Sequence, residues 1–289
     1  MLGVDFIYGD KWLSEFDMMM CDPKDEQAFV SRNIDRSDIT SARPTPFHFG
    51  VTYSDTLKIY LFIVKNDEIV ENKKLFEEEI NDLRAWLESP KNPTELIVIF
   101  DSDDDTVHYY GLFSDVQPFT VAGNCYGLYL TFTCNSPYGF TDDNVMTYEI
   151  AASGKTEGEY NNMSAEYSEY LMPKITIISS STFGASESLS IKNLTDNNNT
   201  MSLNLPQGKT GIILDCKNKI ATDTNGNLLP LSVLGFSDIS TYSSILNLSN
   251  FYWLSFIAGN NRLEFTPSNG HTITDIEIRA KQPVKVGGF

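Results

Sequence analysis

Basic residues are scarce in this chain. Only 21 Lys and Arg stand against 39 Asp and Glu in 289 residues, a formal net charge of −18 with a pI near 4.4. Phosphate recognition needs clustered cations, so sequence-specific nucleic-acid binding is excluded as a function class. Cysteine is scarce too. Cys21, Cys125, Cys134 and Cys216 form no C-x-x-C pair, which argues against a metal site or a disulfide framework and for buried packing thiols. No run of about 18 apolar residues occurs. Met1-Leu2-Gly3-Val4-Asp5 has neither the basic start nor the apolar stretch of a signal peptide. Synthesis in a cytoplasm, with no membrane insertion, is therefore expected.

Motifs that carry chemistry are missing as well. Gly154-Lys155-Thr156 and Gly208-Lys209-Thr210 each mimic the end of a phosphate loop, but Glu149 and Leu203 stand where the cradle's first glycine belongs. Asp101, Asp103 and Asp105 have the spacing of a calcium loop, yet its sixth and twelfth positions are Thr106 and Leu112 instead of Gly and Glu. His48, His108 and His271 lie far apart in aromatic or turn surroundings, and none has a second metal ligand at helical or hairpin spacing. No G-x-S-x-G elbow occurs, and sequence places no pair of carboxylates for glycoside hydrolysis. No catalytic, cofactor-binding or metal residue is assigned, and the chain is not expected to be an enzyme.

What is present is apolar material for two cores: 41% hydrophobic and 12% aromatic residues. The acidity is uneven. Residues 1–136 carry 24 acidic and 11 basic residues (net −13), and residues 137–289 carry 15 and 10 (net −5). Residues 126–134 have the clearest strand period, with Leu128, Leu130, Phe132 and Cys134 on one parity and Tyr129, Thr131 and Thr133 on the other. Pro137 follows, lacking a ladder donor, and marks a domain boundary at 136/137.

Before that boundary the sequence mixes strands with a helix. Phe6-Ile7-Tyr8 reads as an edge strand that docks its aromatics, with Met18-Met19-Met20 as gap fillers. Residues 22–46 turn polar and are interrupted by Pro23, Pro44 and Pro46, reading as a long loop or an arm that contacts another subunit. Alternation over residues 47–64 predicts two strands paired with each other. Leu75, Phe76, Ile80, Leu83, Trp86 and Leu87 then recur at helical spacing. Glu77, Glu78 and Glu79 lie in the first half of this helix, Asn72 is its cap and Ser89-Pro90 its stop. Residues 96–100 and 109–113 are strands with the acidic 101–105 segment at their hairpin tip.

This order of elements resembles the distal tail protein family of long-tailed siphoviruses. The closest matches are Leu83-Arg84-Ala85-Trp86-Leu87 and Leu130-Thr131-Phe132-Thr133-Cys134-Asn135-Ser136-Pro137-Tyr138-Gly139. The resemblance implies an N-terminal ring-forming α+β domain over 1–136 and a C-terminal galectin-like β-sandwich over 137–289. In some members the C-terminal end returns to the first domain, and 281–289 is the stretch that would do so here.

The second half, read on its own, is mainly β. Residues 141–170 are polar and read as a mobile excursion. Strand-like runs follow at 173–178, 189–191, 201–205, 211–215 and 228–234, with Asn225-Gly226 as a hairpin whose central positions both need positive φ. Residues 251–254 read as an aromatic strand, Gly259-Asn260-Asn261 as a turn, and Ile273, Ile276 and Ile278 as the closing strand.

The resemblance further implies a six-fold ring at the virion tail tip that joins the tail tube protein to the baseplate. Its partners would be other copies of itself, the tail tube protein, a tail-tip or tail-lysin protein, and receptor-binding proteins. Part of the acidity, from among Glu68, Glu71, Glu77 to Glu79 and Asp101 to Asp105, would then face the channel, where phosphate must not be gripped. The rival reading is a carbohydrate-binding module with Trp253 and Tyr252 as a sugar platform, which requires an exposed ring.

Overall fold

The computed structural model describes residues 3–21, 30–36, 48–66, 72–100, 106–167, 169–234 and 251–285. The chain forms two compact units, Met1–Asp142 with Pro283–Phe289, and Asp143–Gln282. The division thus falls a few residues beyond the expected 136/137. Both units are mostly β-strand, as the sequence patterns imply.

In chain order the first unit holds β1 (Gly3–Tyr8), β2 (Lys11–Trp12), a 3-10 turn (Leu13–Phe16), β3 (Met18–Cys21), β4 (Arg32–Arg36), β5 (His48–Tyr53) and β6 (Lys58–Lys65). Then come α1 (Glu77–Glu88), β7 (Thr94–Phe100), β8 (His108–Val121), β9 (Asn124–Cys134) and the start of β10 (Gly139–Glu149). Strand β8 serves two ladders. Its first residues pair with β7, ending at Thr94↔Gly111, and the remainder pairs with β9 from Gly111↔Cys134 to Val121↔Asn124. At the hand-over a Cβ on Gly111 would lie 2.1 Å from the Thr133 carbonyl oxygen, so only glycine lets the two backbones meet.

Two antiparallel sheets share β8, in the orders β8–β7–β1–β2 and β8–β9–β6–β3. The even positions of β9, Leu128 to Cys134, are buried as the parity requires, and face Ile59, Leu61 and Ile63 of β6, Met18 and Met20 of β3, and Phe6 and Tyr8 of β1 in one core. Helix α1 adds Leu83 and Leu87 to that core, each worth about 1.5–3 kcal/mol of burial. Trp86 stacks with Phe6 (5.6 Å) and Phe16 (4.6 Å), and its Nε1 donates to the Tyr8 carbonyl at 3.2 Å.

Local details differ from the sequence reading. The residue before the helix is Phe76, whose N–H donates to Glu79 Oε2 at 2.7 Å; Asn72 only closes a local turn on the Lys74 N–H. Strands β5 and β6 do not pair with each other: β5 pairs with β4, and β6 lies between β3 and β9. Alternation reveals a strand but not its distant partner. Strand β4 therefore lies inside the segment read as a loop, while residues 22–29 and 37–47 lie outside the described residues. Strand β1 is not an edge, since it runs between β7 and the short β2.

The second unit contains the rest of β10, then β11 (Thr156–Asn162), β12 (Lys174–Ser179), β13 (Ser188–Asn193), β14 (Asn199–Asn204), β15 (Gly211–Asp215), β16 (Ile220–Asp223), β17 (Gly259–Pro267) and β18 (Ile273–Val284). These make two antiparallel sheets, β16–β15–β12–β18–β10 and β11–β17–β13–β14. Register explains the core: Ile175 opposes Leu214 and Ile278, while Ile177 opposes Ile212 and Ile276, so one parity of three strands is apolar and faces inward. Leu189, Ile191, Met201, Leu203, Leu263 and Phe265 of the other sheet meet them, giving a β-sandwich.

Five expectations are corrected here. Strands β10 and β11 occupy most of the supposed mobile excursion; they are polar because their outer faces are exposed, while Tyr148 and Tyr160 face the core. Residues 228–234 make a single bridge from Leu228 to Thr222 and a 3-10 turn (Leu231–Leu234), and the strand is β16 instead. At the Asn225-Gly226 turn only Gly226 has positive φ, because the Asp223 carboxylate accepts from the N–H groups of Asn225 and Asn227 and sets the loop. Residues 251–254 are not a strand, and Gly259-Asn260-Asn261 opens β17.

Buried amides explain the last correction. Asn193 Nδ2 donates to the Ser255 carbonyl (3.0 Å), Asn261 Nδ2 to the Ile257 carbonyl (2.8 Å), and Asn162 Nδ2 to the Ile257 carbonyl (3.1 Å). These side chains supply part of what a ladder would otherwise give the 251–258 segment, holding Trp253, Leu254 and Phe256 in the core.

Candidate functional site

The motifs weighed for chemistry have structural uses. Lys155 pairs with Glu264 within the second unit, and Lys209 Nζ reaches Asp223 Oδ2 at 2.9 Å, so both lysines of the Gly-Lys-Thr runs are engaged in ion pairs. The four cysteines are free thiols. Burial pushes Cys134 and Cys216 up to about 12, which keeps both protonated and non-nucleophilic at neutral pH. Among the described residues, no group of three or more His, Cys, Asp and Glu side chains is placed to hold a metal. Asp101 to Asp105, Glu68 and Glu71 lie outside the described residues. Glu77 and Glu78 are exposed, whereas Glu79 is committed to Lys65 Nζ at 2.6 Å.

The histidines separate. His48 lies on β5, and His271 turns its Nε2 to the Ala151 carbonyl at 3.0 Å. His108 is a convergence that sequence spacing did not reveal. Its Nδ1 lies 2.8 Å from Glu95 Oε1 on β7 and its Nε2 lies 2.6 Å from Asp142 Oδ1 on β10, while the Tyr110 hydroxyl donates to the same Glu95 oxygen. Those partners are 13 and 34 residues away in sequence, so only the sheet brings them together.

Two surfaces of the first unit stand apart from its core. Strands β4 and β5 form a two-stranded ribbon that joins no other sheet among the described residues. Every described side chain from Ser31 to Asp35 is exposed, Ile34 at 57%, and Tyr53 holds the base through an edge contact with Tyr138. Two strands alone are marginal in water, and a third element is needed to stabilise them. The outer face of the β8–β9–β6–β3 sheet carries Phe62, Phe119 and Tyr129, half-buried against one another at centroid distances of 4.5–5.9 Å. A cleft of about 620 Å³ lined by Tyr8, Asp10, Lys11, Asp82 and Trp86 lies beside the helix.

The sugar platform fails on exposure. Trp253 is only 8% exposed, packed edge-on to Phe251, and the Tyr252 hydroxyl is taken up by Ser255 and Asp196.

Residues 1–136 match the model of a family described as phage tail protein N-terminal domain. Its N-terminal 136 residues thus carry a phage tail protein domain. Over nearly its whole length the protein has the fold of the SPP1 Dit protein, whose crystal structure is presented as a paradigm of the hub adsorption apparatus in phages that infect Gram-positive bacteria. The TM-score is 0.64 at 13% identity, covering 96% of this chain and 98% of that one. A chain of the phage P2 baseplate, in its activated conformation with Ca, gives a TM-score of 0.53 at 13% identity, with 99% of both chains covered. No curated protein matches the sequence. At such identity the protein shares a fold with these hub and baseplate components, and the β-sandwich after the family domain belongs to that shared fold.

Proposed function

We propose that the protein is a structural hub of a phage tail: six copies close a ring through the first unit and join the tail tube to the baseplate or tail tip. The observation that carries this reading is the coincidence of the tail-protein family domain over residues 1–136 with a hub-protein fold over nearly the whole chain. Ring closure requires a heterologous interface, in which one patch meets a different patch of the next copy. The β4–β5 ribbon, which joins no other sheet among the described residues, and the half-buried aromatic cluster around Phe62 supply two dissimilar surfaces.

The second unit then stands as the attachment point for tail-tip, tail-lysin or receptor-binding proteins, and the protein resides in the virion tail after synthesis in the host. It performs no catalysis; its work is assembly. Negative-stain imaging of the full chain tests this, with six-fold rings expected and persistent single particles of monomer size contradicting it.

A further inference from the structure

Resting on the ring reading above, we propose that the β4–β5 ribbon of one copy seats in the cleft beside α1 of the next, with Arg32 against Asp10 and Asp82 and Ile34 against Ala85 and Trp86. Unpaired charges mark both surfaces. In the first unit Lys58, Lys65 and Arg84 are paired with Asp55, Glu79 and Glu88 of their own chain. Arg32 is exposed on β4 and forms no ion pair among the described residues; its guanidinium carbon lies 5.8 Å from the centre of the Tyr53 ring, which gives it a set direction. Asp10 and Asp82 are exposed, likewise form no ion pair among the described residues, and line the cleft of about 620 Å³ together with Lys11, Ala85, Trp86 and Pro90. The Lys11 ammonium lies 5.7 Å from the centre of the Phe16 ring, which leaves both carboxylates to an incoming cation.

The spacings of the two surfaces agree. Arg32 and Ile34 share one face of β4 and stand about 6.6 Å apart at the usual rise per residue. Along α1, Asp82 precedes Ala85 and Trp86 by three and four residues, the separation that sets side chains about 5–6 Å apart on one helix face. An arginine followed by an isoleucine thus meets a carboxylate followed by an apolar wall. Ile34, exposed in the single chain, supplies the burial, while the exposed ion pairs add little strength and chiefly fix which patch meets which. Among the described residues no part of the ribbon lines the cleft of its own chain, and the two patches lie on different elements, so the contact is heterologous, as ring closure requires.

Charge reversal in the full-length protein, followed by sedimentation at one fixed salt concentration, tests the pairing. Arg32→Glu and Asp82→Arg should each lower the assembled fraction about fivefold or more, the factor that an exposed ion pair is worth. The double variant, which restores opposite charges at every contact, should recover most of it, and thermal melting unchanged from the wild type is the control for folding. Carbodiimide coupling in Arg32→Lys adds a direct readout. With isotopically light and heavy chains mixed before assembly, it should yield a light–heavy peptide pair joining residue 32 to Asp10 or Asp82. Single variants that assemble as the wild type does, a double variant no better than either single one, or absence of that mixed peptide pair overturns the proposal and leaves the ring standing. A wild type that stays monomeric throughout removes the ring and this contact together.

Discussion

Asn193 donates from Nδ2 to Oδ1 of Asn261 at 3.1 Å, and both side chains are fully buried. The pair joins β13 to β17 beyond their backbone ladder. Through the carbonyls of Ser255, Ile257 and Gly259 it also fixes an irregular segment that carries core aromatics. Replacing either amide with alanine leaves buried carbonyls without donors. Asn193→Ala is expected to destabilise the second unit by about 1–3 kcal/mol, measured by urea denaturation followed through Trp253 fluorescence. A change below about 0.5 kcal/mol would show that water replaces the amide there.

Gly111 makes a sharper demand. A Cβ at this position meets the Thr133 carbonyl oxygen and the Cys134 Cα, both backbone atoms that no rotamer change can move. Gly111→Ala should cost about 3 kcal/mol or more and affect the first unit, because β8 must separate from β9 at the point where it leaves β7. Calorimetry that finds the melting of this variant unchanged would contradict the close approach.

Asp223 gives a pH dependence whose sign follows from its partners. The carboxylate is buried and accepts from Lys209 Nζ, from Asn227 through side chain and backbone, and from the Asn225 N–H. The hydrogen bond from Lys209 leads in holding it far below the usual carboxylate range. A depressed carboxylate contributes stability that is present above its unfolded value of about 3.9 and is lost as pH falls below it. The second unit should therefore weaken progressively below about pH 4, and Asp223→Asn should lower stability at pH 7 while flattening that acid limb. Thermal melts from pH 7 to 2 that run parallel for both proteins would refute the assignment.

Ile34 tests the ribbon. It is exposed in the single chain, so Ile34→Asp should leave unit stability within about 0.5 kcal/mol of the wild type. If β4 and β5 gain their missing layer from a neighbouring copy, the same substitution should sharply reduce the assembled fraction in sedimentation. Unchanged assembly would place the ribbon outside the interface.

Much of the fold was legible because burial writes a period into the chain. The even residues of β9, Ile175 with Ile177 of β12 and Ile276 with Ile278 of β18 alternate, and the stripe of α1 repeats at helical spacing, so each element showed its inward face. The failures share one cause: information held by distant partners. Nothing near residues 156–162 says that Tyr160 will stack with Phe256 and anchor a polar strand. The aromatic run at 251–254 has strand composition, yet it is held by amides from Asn193, Asn261 and Asn162. His108 looked isolated because its carboxylates arrive from two other strands. The partner of β6 was likewise unreadable, since alternation fixes a face and not a neighbour.

Assembly itself carries the central claim, and salt sharpens it. Each first domain holds a net −13, so closing a ring brings like charges together and apolar contact must outweigh their repulsion. Native mass spectrometry at micromolar concentration, backed by sedimentation from low to moderate sodium chloride, is the most direct measurement. The account predicts a species near 195 kDa, six chains of 32.5 kDa, whose fraction holds or rises as salt screens the charges. Monomer alone at every salt concentration would contradict the ring, and rings that dissociate as salt is raised would contradict an interface held by apolar contact.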